Sequence, residues 1–299
     1  LQRPRTDAAV MSADRSSMAS LDPMAVLNRP AAHGRPAQAA ARQTATPTRV
    51  RHVLQALALP ALLLLLWQVS AVNQWVSPQI LPTPQRVLAT FTELLLSGEI
   101  FEHLRISLQR IASGLLLGGV SGLAIGIWLG TSAWARRYVE PTLVALFSVP
   151  TLGWIPILIL IFGIEETLKI LVIAKAVLVP VVLHATRAIR QIPQSYIEAA
   201  RVLRLRPWTR LTRLTLPACF PVVFSGFRLG LSHAFIALVV VEMLAATEGI
   251  GYMMVWGRTL FQLDIVIVGI LVVGVVGFSL DVALRQLERR IGRWQPGHD

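Results

Sequence analysis

Residues 198–217 read EAARVLRLRPWTRLTRLTLP, a basic, helix-like segment between two long apolar runs. The segment contains five arginines and a single acid, Glu198. Apolar residues fall on one stripe of a first short helix, at Tyr196, Ala200 and Leu203. Pro207 breaks that helix and can begin a second one. The segment therefore predicts either two interfacial helices held to anionic lipid or a docking surface for a soluble partner.

The rest of the chain is strongly apolar. Of its 299 residues, 54% are hydrophobic and 15% are charged, and mean hydropathy is +0.61. A soluble domain has about a quarter charged residues, and a run of about 20 apolar residues spans a bilayer. These values predict an all-α membrane protein. Its six transmembrane helices are expected at residues 53–72, 107–130, 141–163, 168–186, 218–244 and 265–284.

Two domains are expected. Residues 1–50 have a basic, polar composition that indicates a disordered N-terminal tail. Residues 51–295 form the transmembrane domain, and the first apolar run lies too far along the chain for a cleaved signal peptide. Residues 187–216 are the expected cytoplasmic loop.

The arginines are distributed asymmetrically between the loops. The net charge is +12, and basic residues concentrate in the tail and the 136–137, 187–216 and 285–293 segments. The opposite loops carry few arginines, and they also carry seven of the sixteen acids: Glu93, Glu99, Glu102, Glu165, Glu166, Glu248 and Asp264. By the positive-inside rule both termini are cytoplasmic. The basic excess then serves topology, which removes the main reason to expect a nucleic-acid partner.

The second apolar run carries a glycine at every fourth position. The five residues share one helix face: Gly114, Gly118, Gly122, Gly126 and Gly130. Such a face lets another backbone approach closely in a membrane. The pattern predicts tight helix packing, and it leaves open whether the partner helix belongs to the same chain.

The third apolar run is interrupted by helix-breaking residues, at Pro141, Pro150, Gly153 and Pro156. Each internal proline removes a backbone hydrogen bond. Irregular backbone at membrane depth is tolerated where it is buried in protein or lines a watery cavity. This run is therefore either a wall of a translocation path, with Pro150 and Pro156 in it, or a kinked packing helix.

Ionisable side chains inside apolar runs are candidates for function. Lys175, Arg228 and His233 together would suit a path for anions, although a structural role is open for each alone. The chain has no G-x-x-x-x-G-K-[ST] motif, so it does not bind ATP through a P-loop. Cys and His residues with metal-ligand spacing are also absent from the sequence.

The segment from Glu198 resembles the EAA loop of inner-membrane permeases of binding-protein-dependent ABC importers, whose pattern is EAA-x3-G-x9-I-x-L-P. The spacing matches throughout, with Arg204 in place of glycine and Leu214 in place of isoleucine. Pro207 could supply the break that the glycine normally provides. The resemblance extends over residues 55–295 and is closest to the nitrate, sulfonate and taurine branch. Supporting stretches are ILPTPQRVL (80–88), IPILILIFGIEETLKI (155–170), VVVEMLAATEGIGYM (239–253) and the RQLERRIGRW tail, which is most like aliphatic-sulfonate permeases.

The resemblance implies a type I importer fold and an assembly in the bacterial inner membrane. Two permease copies form the pore, two cytoplasmic ATPases dock on the EAA loops, and a periplasmic binding protein delivers the substrate. ATP and Mg bind to the ATPase, so this chain is not an enzyme and needs no cofactor. Coupling would be carried by Glu198, Ala199, Ala200, Arg204, Leu216 and Pro217. The expected cargo is a small anion, an aliphatic sulfonate first and taurine or nitrate next.

Two other classes stay open. An ion-driven secondary transporter usually places acids near mid-membrane, and Glu242, near the outer end of its span, is the one candidate. A membrane-embedded enzyme would need clustered Asp, His or Ser in the spans. His184 and His233 are separate and have no acid near them in sequence.

Overall fold

The computed structural model describes the backbone of residues 47–291. Within that range the chain is helical and contains no strand. The predicted tail, residues 1–50, lies almost entirely outside the described residues. The chain divides into two units after Ala56, and everything below concerns the unit that begins at Leu57. The helices are α1 (Pro47–Val72), α2 (Pro84–Leu96), α3 (Glu99–Thr131), α4 (Ala133–Tyr138), α5 (Glu140–Phe147), α6 (Ile155–Phe162), α7 (Glu166–Arg190), α8 (Gln194–Val202), α9 (Pro207–Arg210), α10 (Leu216–Ala245), α11 (Ile250–Thr259) and α12 (Leu263–Ile291).

Each predicted apolar run is helical, but the runs differ in length and shape. Within residues 47–291, four helices are long and apolar enough to cross a membrane: α3, α7, the continuous helix Trp208–Ala245, and α12. The apolar part of α1, Ala58–Val72, is shorter. The third run is a bent pair of helices rather than one helix.

α7 is the central helix of this unit, packed between α3 and α10. In its most apolar stretch 61% of residues are buried, against 17% for α12. Leu168, Ile173 and Val177 on α7 are fully buried and join Ala234 and Val241 of α10 in one apolar cluster. α12 exposes far more of its surface, as expected for a helix that faces lipid or another subunit.

The glycine face of α3 packs against α7, so the predicted tight packing is confirmed and the partner helix lies in the same chain. A Cβ added at Gly122 would lie 3.1 Å from the carbonyl oxygen of Leu178. At Gly126 it would lie 2.5 Å from the Cβ of Ala185, closer than real Cβ atoms come. Thr186 also donates a hydrogen bond across this contact, from Oγ1 to the carbonyl oxygen of Gly126, at 3.3 Å. The two backbones meet because the glycines have no side chains.

The third apolar run breaks near its middle. α5 ends at Phe147, a 3₁₀ turn covers Thr151–Trp154, and α6 begins at Ile155. The two arms are bent by 88°, the geometry of a broken span or a re-entrant loop. Pro150 precedes the turn and Pro156 lies in the first turn of α6, where a missing N–H leaves no bond unmade.

The basic segment differs from the expected pair of separate short helices. α8 is separate, but the second helix begins at Pro207 and continues through a π-helical turn, Leu211–Thr215, into α10. Pro217 cannot donate a backbone hydrogen bond to the preceding turn, and the wider π turn lies directly before it. The expected loop, residues 187–216, is thus largely helical, and its second part is an extension of α10.

Candidate coupling segment and translocation path

The coupling segment, residues 194–217, presents an apolar surface to solvent. Val202 and Trp208 are 82% and 73% exposed, and Tyr196 and Leu203 are also more than half exposed. Glu198 and Ala199 lie exposed on α8. A cluster of large exposed apolar side chains among charged ones is typical of a protein–protein contact surface.

The opposite face of α8 anchors the segment to the membrane helices. Ala200 is buried, with 4% exposure. Ile197 packs on a small cluster that contains Ile192, after α7, and Cys219, at the start of α10. A force applied to the exposed face of α8 would therefore reach α7 and α10 through direct contacts.

α8 ends in a turn that normally favours glycine. Arg204 has a φ of 48°, in the left-handed region. The backbone N–H of Leu205 donates to the carbonyl oxygen of Ala200 at 3.1 Å, which is the long bond of a Schellman motif. Arg204 thus keeps the turn conformation that the family glycine would adopt. Pro207 then begins the next helix, as the sequence predicts.

A cavity of about 650 Å³ lies beside the coupling segment, lined by residues from the ends of α3 and α7 and from the segment itself. Three arginines line it: Arg136, Arg190 and Arg210. Arg190 forms a two-pronged ion pair with Glu140 of α5. The cavity gives the coupling segment space beside the ends of the membrane helices.

The three predicted path cations have different surroundings. The Nζ of Lys175 lies 5.2 Å from the centre of the Trp154 ring. Arg228 pairs with Asp281 and Glu288 of α12, both at 3.2 Å. His233 is exposed, and its Nδ1 lies 2.8 Å from the carbonyl oxygen of Leu229. The contacts of these cations therefore do not bring the three together in one site.

An ion cluster that the sequence analysis did not identify centres on the buried Arg110 of α3, which is 3% exposed, whereas its partner Glu166 is more than half exposed. Its guanidinium binds both carboxylate oxygens of Glu166, at 2.6 and 2.8 Å. It also donates to Glu242 at 2.8 Å and to the carbonyl oxygen of Glu248 at 2.7 Å. Lys169 completes the cluster through Glu166, at 2.7 Å. The cluster ties together α3, α7 and α10.

Glu242 is the most enclosed member of this cluster, with 1% exposure. Besides Arg110, it accepts hydrogen bonds from the Ser107 hydroxyl at 2.8 Å and from the backbone N–H of Gly251 at 2.9 Å. Gly249 lies against it with a φ of 110°, where an added Cβ would collide with the carboxylate. A buried carboxylate with this many partners holds helices together. The sequence feature that could have indicated this cluster is Arg110 itself, an arginine inside an apolar run.

Comparison with known proteins gives a consistent family. Residues 122–293 match the family described as "Binding-protein-dependent transport system inner membrane component". The chain is 39% identical over 246 residues to a Bacillus subtilis (strain 168) protein named as an aliphatic sulfonates transport permease, SsuC, covering 82% of this chain and 89% of that one. The taurine transport system permease TauC of Escherichia coli (strain K12) is 33% identical, covering 82% and 90%.

The fold has a counterpart among solved structures. An inward-facing structure of the MetNI methionine ABC transporter contains a chain that superposes with a TM-score of 0.52. The match covers 66% of this chain and 96% of that one, at 18% identity. This likeness supports the type I importer arrangement of the helices.

Proposed function

Because this chain belongs to the family of binding-protein-dependent transport system inner membrane components, we propose that it is the permease for an aliphatic sulfonate. As a member of that family it is a multi-pass inner-membrane subunit of an ABC importer. Its partners include an ATPase, which hydrolyses ATP, and a substrate-binding protein. The similarity to SsuC of two bacteria supports the sulfonate, at 39% and 35% identity.

Taurine and nitrate are the alternative cargoes. TauC is 33% identical across most of both chains. The nitrate import permease NrtB of Synechococcus elongatus is 37% identical, but over 180 residues, 59% of this chain. The higher identity to SsuC, 39% against 33% for TauC, favours the sulfonate, and the NrtB match is shorter, at 180 residues.

The observation that supports coupling to an ATPase is the exposed surface of the coupling segment. Val202, Leu203 and Trp208 are exposed on the same short segment as the exposed Glu198 and Arg204, and α8 is anchored on α7 and α10. We assign this surface to the ATPase, with Glu198, Ala199 and Arg204 at the contact and Ala200 as its anchor. Leu216 and Pro217 join the surface to α10.

The complete transporter would hold two copies of this chain, two ATPases and one binding protein. ATP and Mg would be bound by the ATPases, so this chain would hold no cofactor. Both termini would be cytoplasmic, on the side of the coupling segment, and basic residues there would contact anionic lipid. Closure of the ATPase pair on ATP would move the coupling segments and switch the pore between inward-facing and outward-facing states.

An ion-driven mechanism finds no support in Glu242. Its carboxylate is buried and bound by Arg110, Ser107 and a backbone N–H. A coupling acid must exchange protons or ions during transport, whereas this one is committed to joining three helices.

Docking is tested by charge reversal on α8. Glu198→Arg should lower the amount of partner ATPase that the permease captures in detergent at least tenfold, while membrane insertion stays normal. Glu93→Arg makes the same charge change at an exposed position on α2 and should leave capture unchanged. Equal capture by Glu198→Arg and wild type would contradict the assignment of this surface to the ATPase.

A further inference from the structure

Lys175 is a cation without an acid partner inside the helical unit. The other cations of the interior are paired: Arg110 with Glu166 and Glu242, Lys169 with Glu166, and Arg228 with Asp281 and Glu288. Within the described residues, the Nζ of Lys175 is buried and makes no hydrogen bond. An uncompensated ammonium in a membrane is costly, so this position calls for an acceptor that the described part of the chain does not provide.

A second buried donor lies beside it. The Nε1 of Trp154 is also buried without a hydrogen-bond partner, and in the part of the chain that the structure describes these two are the only such side-chain atoms. They belong to neighbouring side chains, because the ammonium lies over the Trp154 ring. Both groups can only donate. Two unmatched donors at one place indicate a ligand that carries several acceptors.

Trp154 lies on the irregular part of the third span. It ends the 3₁₀ turn at the 88° break. A Cβ added at the preceding Gly153 would meet no atom within 4 Å, so the turn has free space beside it. That free space lies on the same turn that carries the Trp154 ring. An aromatic face attracts a cation only through the quadrupole of the ring, which is weaker than the attraction of the full negative charge of a carboxylate.

We propose that Lys175 and Trp154 form the anion-binding site of the translocation path, a hypothesis that rests on the proposed function. In the state described here the Trp154 ring covers the ammonium. During transport the sulfonate replaces the ring face as the counter-charge, accepting hydrogen bonds from Nζ and from Nε1–H. The alkyl chain of the substrate then contacts the indole ring. Pro150 and Pro156 lie on either side of the turn that makes this exchange. Arg228 is already neutralised by its acid partners on α12 and is not part of the site.

This site also discriminates among the candidate cargoes. A sulfonate stays ionised and presents three acceptor oxygens, which suits an ammonium and an indole N–H. Nitrate has no alkyl chain for the ring to contact. Taurine carries an ammonium of its own, which would need an acid partner, and neither Lys175 nor Trp154 can supply one. The site is therefore expected to prefer an unsubstituted alkanesulfonate to both nitrate and taurine.

The test uses the complete transporter in liposomes, with ATP inside and radiolabelled butanesulfonate outside. Lys175→Met should lower uptake at least tenfold, and Lys175→Arg should keep a measurable part of it. Trp154→Phe, which keeps a ring and removes the N–H, should lower uptake about tenfold, the effect of losing one hydrogen bond to a charged group. Arg258→Met removes an exposed cation elsewhere and should not change uptake.

Capture of the ATPase is measured on each variant, so that loss of the site is separated from loss of the assembly. Uptake by Lys175→Met within twofold of wild type would overturn the site and leave the proposed function standing. If Lys175→Met does not assemble, Trp154→Phe decides, and unchanged uptake by that variant would overturn the site. Absence of ATP-driven butanesulfonate uptake by the wild type would refute the sulfonate function itself, and the site with it.

Discussion

Arg204 occupies a left-handed backbone conformation in which a residue with a Cβ is strained by about 1–2 kcal/mol. The Schellman hydrogen bond from Leu205 to Ala200 holds it there. The EAA pattern predicts a glycine at this position. The turn requires a left-handed backbone conformation, which glycine adopts most readily. The arginine keeps the turn and adds a charge at the exposed surface of the coupling segment.

Arg204→Gly should therefore stabilise the protein by about 1 kcal/mol, because glycine adopts the left-handed conformation at little cost. The free energy of unfolding, measured by titrating dodecyl sulfate into detergent micelles, reports the change. Arg206→Gly is the matched control, since Arg206 is not in the left-handed region, and it should not stabilise. A loss of stability in Arg204→Gly would contradict this account of the turn.

Arg110 is the residue on which the ion cluster of α3, α7 and α10 depends. Its partners Glu166 and Glu242 lie 56 and 132 residues away. Local sequence reasoning could flag an arginine in an apolar run, but it could not supply acid partners that only the packing of three helices brings together.

Arg110→Met should destabilise the protein by about 3–5 kcal/mol, because Glu242 would stay buried without its counter-charge. The same dodecyl sulfate titration measures the effect. Arg105→Met, at an exposed position on the same helix, should change stability by less than about 1 kcal/mol. If both variants unfold alike, the cluster does not hold α3, α7 and α10 together.

At the scale of helices, the glycine spacing in α3 was enough to predict a close helix contact, because the absence of a side chain has one physical consequence in a membrane. It could not name α7 as the partner. The prolines likewise predicted an interrupted third span, but not an 88° bend, since the angle depends on what the two arms pack against. The second coupling helix was wrongly separated from α10, because a π turn leaves no sequence signal of its own.

The α3–α7 contact predicts the effect of a single added methyl group. At Gly118 a Cβ would be forced against the carbonyl oxygen of Ala174, whereas at Gly274 of α12 it would meet no atom within 4 Å. Gly118→Ala should lose about 1–3 kcal/mol of stability through overpacking, and Gly274→Ala should lose none. Equal unfolding midpoints for the two variants would mean that the two backbones are not in close contact.

At the scale of the whole molecule, the asymmetric arginines predict which side each end of a helix faces. The native Cys219 is buried, so it contributes little background to thiol labelling. In intact cells a membrane-impermeant maleimide should label Glu93→Cys, between α1 and α3, and should not label Arg137→Cys, at the opposite end of α3. The reverse pattern would invert the orientation and place the coupling segment outside the cell.

The central claim is that this chain passes an alkanesulfonate through the membrane when an ATPase acts on its coupling segment. The direct measurement is uptake of labelled butanesulfonate by liposomes that contain the chain, its ATPase and its binding protein, with unlabelled taurine and nitrate as competitors. We predict uptake that requires ATP hydrolysis and is blocked by excess sulfonate but only weakly by the competitors. Uptake that follows an ion gradient without ATP, or no uptake despite ATP hydrolysis by an assembled complex, would contradict the claim.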